Sequence, residues 1–428
     1  MLIRRCWLTL LTLTFFLGTL VHPTAHLQAQ PENSCVRLVA EVTGENRSGG
    51  SVAWSPDGRY IAALYGQRDP PFQSIVKDGL YVFDSRTLEI VADIECDLAT
   101  TSIDTMVWSP DSSRLALADR SSGDVEIWNT SEWTQTVLRG RDADDLTRQI
   151  VWSTDSQELA VVNFNRFRQE TNFQGGEVVR IWDVQENVIR TTLGPDLLQA
   201  FVGQRDGEWY AALRSREEDT VRVVRVTDGT TLFEVEEAYL VDFMGAPGAG
   251  YHGRVHTATY PVEYATSAEQ LLLATVRLTP EYSSENLLQV WDAATGQLLF
   301  ERAGEPMIAF SALGGNTSLV IARTGYGSWE VYDLETRATV SFENRGQPGP
   351  SPNGEFVETH VLGSVGGSVI RATGDINISD VSSGETITTF PGDPVSIGDI
   401  AWSPSSDQLV VTGTSGSVSL WSLEDCLR

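Results

Sequence analysis

The sequence predicts an all-β repeat fold, and three observations carry that prediction. The first is a recurring turn. Trp54-Ser55-Pro56-Asp57-Gly58 returns as Trp108-Ser109-Pro110-Asp111-Ser112, as Trp152-Ser153-Thr154-Asp155-Ser156 and as Trp402-Ser403-Pro404-Ser405-Ser406. Each copy follows one short β-rich run and precedes another, Tyr60 to Leu64 and Leu409 to Thr412 among them. Pro presets φ in such a turn, and Gly or Asp tolerates the remaining angles. The second observation is an aromatic residue followed by an acid or amide and a turn. Its copies are Phe83-Asp84, Trp128-Asn129, Trp182-Asp183, Trp291-Asp292, Tyr332-Asp333 and Trp421-Ser422. The third is that no helical periodicity of any length runs through the chain.

Two degenerate copies of the second motif align by their glycine turns. One has Val224-Arg225 before Asp228-Gly229, the other Ser379-Asp380 before Ser383-Gly384. The spacings between the eight anchors are 45, 54, 42, 67, 41, 47 and 42 residues. A unit of this length holds four short strands, here termed a to d, which is the size of one propeller blade. In the fourth and seventh units Gln204-Arg205-Asp206-Gly207 and Pro352-Asn353-Gly354 stand in place of the first motif. The predicted architecture is therefore a single β-propeller of four-stranded antiparallel blades. Eight blades follow from the count. Seven is the alternative, if the degenerate seventh unit pairs differently.

The last unit ends early. After Trp421 the chain stops at Arg428, too soon for a fourth strand. Cys35 to Val42 supplies an orphan strand before the first turn motif. The simplest closure places this N-terminal strand in the last blade, which removes exposed sheet edges. Cys426 then lies beside Cys35, and a disulfide between them locks the ring. For so long a loop the chain-entropy account predicts roughly 4–5 kcal/mol. The competing reading leaves both ends unpaired. Cys96 ends the alternating run Ile90, Ala92, Ile94 and reads as a buried core thiol.

Composition sets the partners. The 428 residues carry 30 Lys+Arg against 58 Asp+Glu, a formal net charge of −28. Lys77 is the single lysine. Such acidity offers a phosphate backbone no basic stripe and argues against nucleic acid. Hydrophobic residues at 41% and charged residues at 21% are globular values, which argue against wholesale disorder. Arg4 and Arg5, an apolar run from Cys6 to Val21 and a small residue at Ala29 read as an export signal over residues 1–29. An uncleaved anchor is the competing reading, but the run is short for a bilayer span of about 20 residues. The expected product is an extracytoplasmic protein, secreted or periplasmic, beginning near Gln30 with no membrane span. An oxidising compartment permits the disulfide.

The Trp-Ser-Pro-Asp-Gly turns and Trp-Asp endings resemble the WD-repeat β-propellers, and the likeness covers nearly all of residues 35–428. The Gly-His pair that usually precedes strand a is absent. The buried Asp–His–Ser–Trp network of that family therefore has no basis here. The departure resembles degenerate, exported bacterial propellers. The resemblance implies a platform for protein contacts, although fold alone does not establish function.

Long b–c insertions fall on one face of such a ring, the upper one. They nominate Arg68 and Phe72 in Gly66 to Asp78, and Arg166, Phe167, Arg168 and Phe173 in Asn163 to Gly176. Tyr282 follows in Leu278 to Asn286. Arginines and aromatics on rigidly held loops suit protein or peptide binding; ordinary solvated loops are the competing reading. Gly248-Ala-Gly250-Tyr-His-Gly253 matches a dinucleotide pattern but lacks the strand and helix that the pattern needs. His252 and His256 share a face only on a helix, which the glycines around them oppose. No Gly-x-Ser-x-Gly elbow occurs. Acid groups such as Asp142/Asp144/Asp145 and Glu217/Glu218/Asp219 read as solvated surface. The tryptophans at repeated positions read as inter-blade core. Asp292-Ala-Ala-Thr295-Gly296-Gln297 resembles the docking turn of eight-bladed quinoproteins. The expectation is a non-catalytic, monomeric scaffold for a protein or peptide, without cofactor or metal. A quinoprotein-like or lactonase-like enzyme at the central channel is the alternative.

Overall fold

The computed structural model of the chain describes residues 35–43, 47–69, 74–95, 103–119, 123–139, 145–165, 176–215, 220–236, 238–240, 271–277, 286–304, 307–312, 318–323, 329–334, 336–342, 346–364, 370–391, 397–413 and 416–426. Among these residues the regular structure is all β-strand. No helix among them is long and apolar enough to cross a membrane.

The sheets follow the chain, except at its start. β1 (Arg37–Val42) stands apart from its neighbours in sequence. Blade one runs β2 (Arg47–Trp54), β3 (Tyr60–Asp69), β4 (Ser74–Asp84), β5 (Ile90–Glu95). Blade two runs β6 (Ile103–Trp108), β7 (Arg114–Asp119), β8 (Val125–Asn129), β9 (Thr134–Leu138). Blades three and four form one seven-stranded sheet. Its order is β10 (Asp145–Trp152), β11 (Glu158–Asn165), β12 (Gly176–Asp183), β13 (Val188–Arg205), β14 (Glu208–Ser215), β15 (Thr220–Arg225), β16 (Thr231–Glu236). Blade five runs β17 (Ala238–Leu240), β18 (Leu272–Arg277), β19 (Asn286–Asp292), β20 (Leu298–Gly304). Blade six runs β21 (Met307–Ala312), β22 (Ser318–Arg323), β23 (Trp329–Asp333), β24 (Thr339–Phe342). Blade seven runs β25 (Gly346–Pro350), β26 (Phe356–Ser364), β27 (Ile370–Asp380), β28 (Thr386–Pro391). Blade eight runs β29 (Ile397–Trp402), β30 (Gln408–Gly413), β31 (Val418–Ser422) and ends with β1.

The merged sheet has a local cause. β13 is 18 residues long and serves two blades. Its first part pairs with β12 from Val188 to Leu193 and, after a register shift, again at Leu197 opposite Glu177, while its second part pairs with β14 from Leu197. The chain turns between them at Gly194, whose φ is 108°. A Cβ there would lie 2.8 Å from the Glu177 carbonyl oxygen, so only glycine fits the corner.

Every blade touches the next, and the last touches the first. Between first strands the link is an indole bond. Trp54 Nε1 donates to the Ala401 carbonyl (3.2 Å), Trp108 Nε1 to Ala53 (3.3 Å) and Trp152 Nε1 to Val107 (3.1 Å). Trp402 Nε1 donates to the Gly349 carbonyl at 3.1 Å. Where blade four has Gln204 instead of Trp, its Oε1 accepts the Thr154 amide at 2.7 Å. Phe233 meets Trp291 across blades four and five, with ring centroids 5.7 Å apart. Phe300 meets Tyr332 across five and six at 4.3 Å. Val331, Phe342, Val357 and Val381 share a buried cluster across six and seven. The tryptophans are therefore inter-blade core, as their repetition predicts: Trp54, Trp108, Trp152 and Trp402 are at most 6% exposed.

Closure uses two separate devices. β1 pairs antiparallel with β31, Arg37 opposite Ser422 and Val42 opposite Val418. Cys35 and Cys426 form a disulfide across 391 residues, with Cα atoms 4.9 Å apart. Independently, the Val52 amide donates to Asp399 Oδ2 at 2.9 Å and Thr412 Oγ1 donates to the Gly50 carbonyl at 2.8 Å.

The turn motifs work differently from the sequence expectation in one respect. The left-handed residue of the first motif is its fifth: Gly58, Ser112, Ser156, Gly354 and Ser406 all have φ between 60° and 72°. Aspartate instead braces the loop. Asp57 Oδ1 accepts Ser55 Oγ (2.6 Å) and the Arg59 amide (3.0 Å), and Asp111 and Asp155 repeat this. A second difference is the length of the blade-one hairpin. Gly66 pairs with Asp78 and Arg68 with Ile75, so most of the expected Gly66 to Asp78 loop is strand. The apolar run from Tyr60 ends at Tyr65, but the backbone ladder continues without it.

Candidate functional site at the upper rim of blades three and four

The upper rim is where β11 ends, β12 begins and β10 begins, opposite the first-motif turns. Charge enters the buried strands here. β12 is buried along almost its whole length, yet it carries Glu177 and Arg180. Successive strand residues point to opposite faces, so Glu177 faces blade four and Arg180 faces blade two.

Arg180 is 6% exposed and donates through Nη1 to Asn163 Oδ1 at 2.8 Å. Asn163 Nδ2 donates to Thr147 Oγ1 (3.2 Å) and reaches the Gly123 carbonyl of blade two (3.4 Å). A buried charge is tolerated when it is hydrogen-bonded in this way. On the other side, Glu177 Oε2 accepts the Ala200 amide at 2.5 Å. Its Oε1 lies 3.5 Å from Arg148 Nε. Below them Gln149 binds both backbone groups of Val202, Oε1 accepting its amide (3.1 Å) and Nε2 donating to its carbonyl (3.3 Å).

Arg148 connects this buried layer to solvent. Its side chain is 54% exposed. Its guanidinium carbon sits 5.1 Å from the Phe164 ring centroid, a cation–π contact. Leu198, on the same rim, is a large apolar side chain left exposed, at 37%. A planar guanidinium held over a ring and half exposed can pair with a carboxylate of a ligand.

The residues nominated from sequence are placed as follows. Phe72, Arg166, Phe167, Arg168, Phe173 and Tyr282 lie outside the described residues. The backbone of Arg68 belongs to β3, and its side chain lies outside what is described. Cys96, His252, His256, Asp142, Asp144 and Glu217 to Asp219 also lie outside the described residues. Residues 166–175 nevertheless leave from Asn165 and return at Gly176, a strand pair on this same rim. Thr147, Arg148, Glu177 and Leu198 were missed from sequence. The legible signal was Gly-Glu-Val-Val-Arg-Ile-Trp, two charges in a strand otherwise fit for burial.

The turn that resembles a quinoprotein docking turn is built like its counterparts in other blades. Asp292 Oδ1 accepts the Ala294 and Thr295 amides at 3.0 and 2.9 Å. Asp84 does the same for Arg86 and Thr87, and Asp380 for Ser383. Among the described residues no group of three or more His, Cys, Asp or Glu could hold a metal ion.

No protein-family model matches the chain, and no curated protein matches it. Solved structures do match. The C-terminal WD40 domain of Sif2 superposes with a TM-score of 0.59 over 90% of this chain and 98% of that one, at 14% identity. The fold is thus that of a WD-repeat β-propeller. At this identity the likeness establishes the architecture alone.

Proposed function

We propose that this chain is an exported, non-catalytic scaffold, an eight-bladed closed ring that docks a protein or peptide on its upper face. One observation carries the reading. Arg148 stands over Phe164 at the rim with its side chain half exposed, anchored beside the buried Glu177 that accepts the Ala200 amide, and β13 of the adjoining blade carries the exposed Leu198. Rigid support of this kind is what a docking residue needs. The nominated loop bearing Arg166, Phe167, Arg168 and Phe173 is rooted in the same rim. The disulfide is consistent with an oxidising, extracytoplasmic compartment.

The test places a photo-crosslinking residue at Leu198 or, as a control, at Leu298 on the outer strand of blade five, with the protein in its own compartment. A discrete protein adduct from position 198 and none from 298 is the expected result. Equal labelling at both positions would sink the proposal. Native mass spectrometry of the purified protein adds an independent check. A stoichiometric metal or organic adduct would favour the channel enzyme instead.

A further inference from the structure

We infer that the Cys35–Cys426 disulfide is a redox latch on the last blade, whose reduction releases β1 and bares the edge of β31. The two closures of the ring differ in kind. The inner one runs through β29 and β2, by way of Asp399, Ala401 and their partners Val52 and Trp54. None of those bonds involves β1, although Val39, Ala40 and Val42 pack against the cluster that holds Val52, Trp54 and Ala401. The outer one consists of β1 and the disulfide. Opening the outer closure therefore leaves the ring joined.

β1 is placed so that it can leave without taking another strand with it. It is the outermost strand of its sheet, and from Leu38 onward its residues are half-buried, whereas β31 is buried throughout. Its ladder is interrupted by a register shift between Leu38 and Ala40. At its start only Val36 is fully buried. Both cysteines are half-buried at the margin of the blade-seven and blade-eight core, within reach of a thiol reagent.

The chemistry is thiol–disulfide exchange with a dithiol. One thiolate of the dithiol attacks a cystine sulfur, the S–S bond breaks, and the other cysteine leaves as a thiolate that takes up a proton. The second thiol of the reductant then attacks the mixed disulfide and releases the remaining cysteine. The dithiol ends as a disulfide, having given two electrons. Loss of β1 turns β31 into an unpaired edge, the kind of edge that accepts an added strand.

The experiment is short-time amide hydrogen exchange on the folded wild-type protein, with and without dithiothreitol, alongside a count of free thiols. Exchange at Arg37–Val42 and Val418–Ser422 is expected to rise about tenfold or more, while that at Tyr60–Leu64 and Leu159–Val162 stays unchanged. Two outcomes would overturn the latch: thiols released with no change in exchange, or a rise of equal size in every blade. A disulfide that resists the dithiol in the folded protein would overturn it as well. Because reduction follows folding, a folding defect in a cysteine variant does not enter. Cys35→Ser/Cys426→Ser, if it folds, should show the same local pattern without reductant.

Discussion

Ser156 shows how much one hydroxyl does in this ring. Its side chain is fully buried, its φ is 61°, and its Oγ accepts the Asp111 amide of the preceding blade at 3.1 Å. Ser112 and Ser406 serve Asp57 and Asn353 in the same way. Ser156→Ala keeps the left-handed backbone and loses the bond. It should destabilise the protein by about 1 kcal/mol or somewhat more. Ser156→Gly loses the same bond but relieves the backbone, so it should cost less. Urea unfolding of the two variants tests the order; a larger loss for glycine would refute the account. Gly194 is the opposite case, since no side chain fits there. Gly194→Ala should cost about 1–3 kcal/mol and disturb Glu177. The same unfolding series measures it.

At the scale of elements, the c–d turn recurs with one design. Its fifth residue after the anchor is left-handed in seven blades: Leu88, Trp133, Asn187, Gly229, Gly296, Arg337 and Gly384. Arg337 is exposed and gains nothing from packing there. Arg337→Gly should therefore raise stability by up to about 1 kcal/mol, read as an increase in the urea midpoint. Aspartates of these turns, and of the first-motif turns, set a pH dependence. The Arg86 backbone amide, with help from Thr87, holds the Asp84 carboxyl below its ordinary value against some desolvation. Desolvation is the largest influence on Asp111 and Asp380, but their serine and backbone donors outweigh it and the shift is again downward. A carboxyl with a folded-state pKa below its unfolded one contributes stability that is complete above the unfolded value. That stability disappears as pH falls through the folded value. The melting temperature should be flat down to about pH 5 and drop below about pH 4. A drop centred near pH 6 would contradict this assignment.

The whole molecule is a ring of seams, and at several of them a polar pin stands beside the apolar core. Gln149 pins blade three to blade four, Glu330 pairs with Arg302 between blades five and six, and Asp399 pins the last blade to the first. Asp399→Ala leaves the Val52 amide without its acceptor at the closing seam. The expected loss is about 1–3 kcal/mol, measured by unfolding. A net charge of −28 acts on the molecule as a whole. Self-repulsion of that size weakens the compact state and is screened by salt. Raising sodium chloride from low to about half-molar should therefore raise the melting temperature. No rise would mean that local pairing already offsets the repulsion.

Much of this was legible in the chain itself. The turn motifs and their spacing determined the blade units, since Pro, Gly and Asp specify turns through local backbone chemistry. The truncated last unit and the orphan Cys35 to Val42 strand determined the partner of β1, and with it the Cys35–Cys426 pair. The upper-rim site was legible only at Glu177 and Arg180, as charges in a strand otherwise fit for burial. Arg148, Phe164, Glu177 and Leu198 come from four strands, β10 to β13, and nothing in their local pattern marks them as neighbours. Only the tertiary structure decided which face each residue of β12 presents and which blade it meets. The reason is that a seam pairs residues some fifty positions apart, as Gln149 with Val202 or Trp108 with Ala53. Turn chemistry acts within a few residues, whereas seam chemistry exists only once two blades are packed.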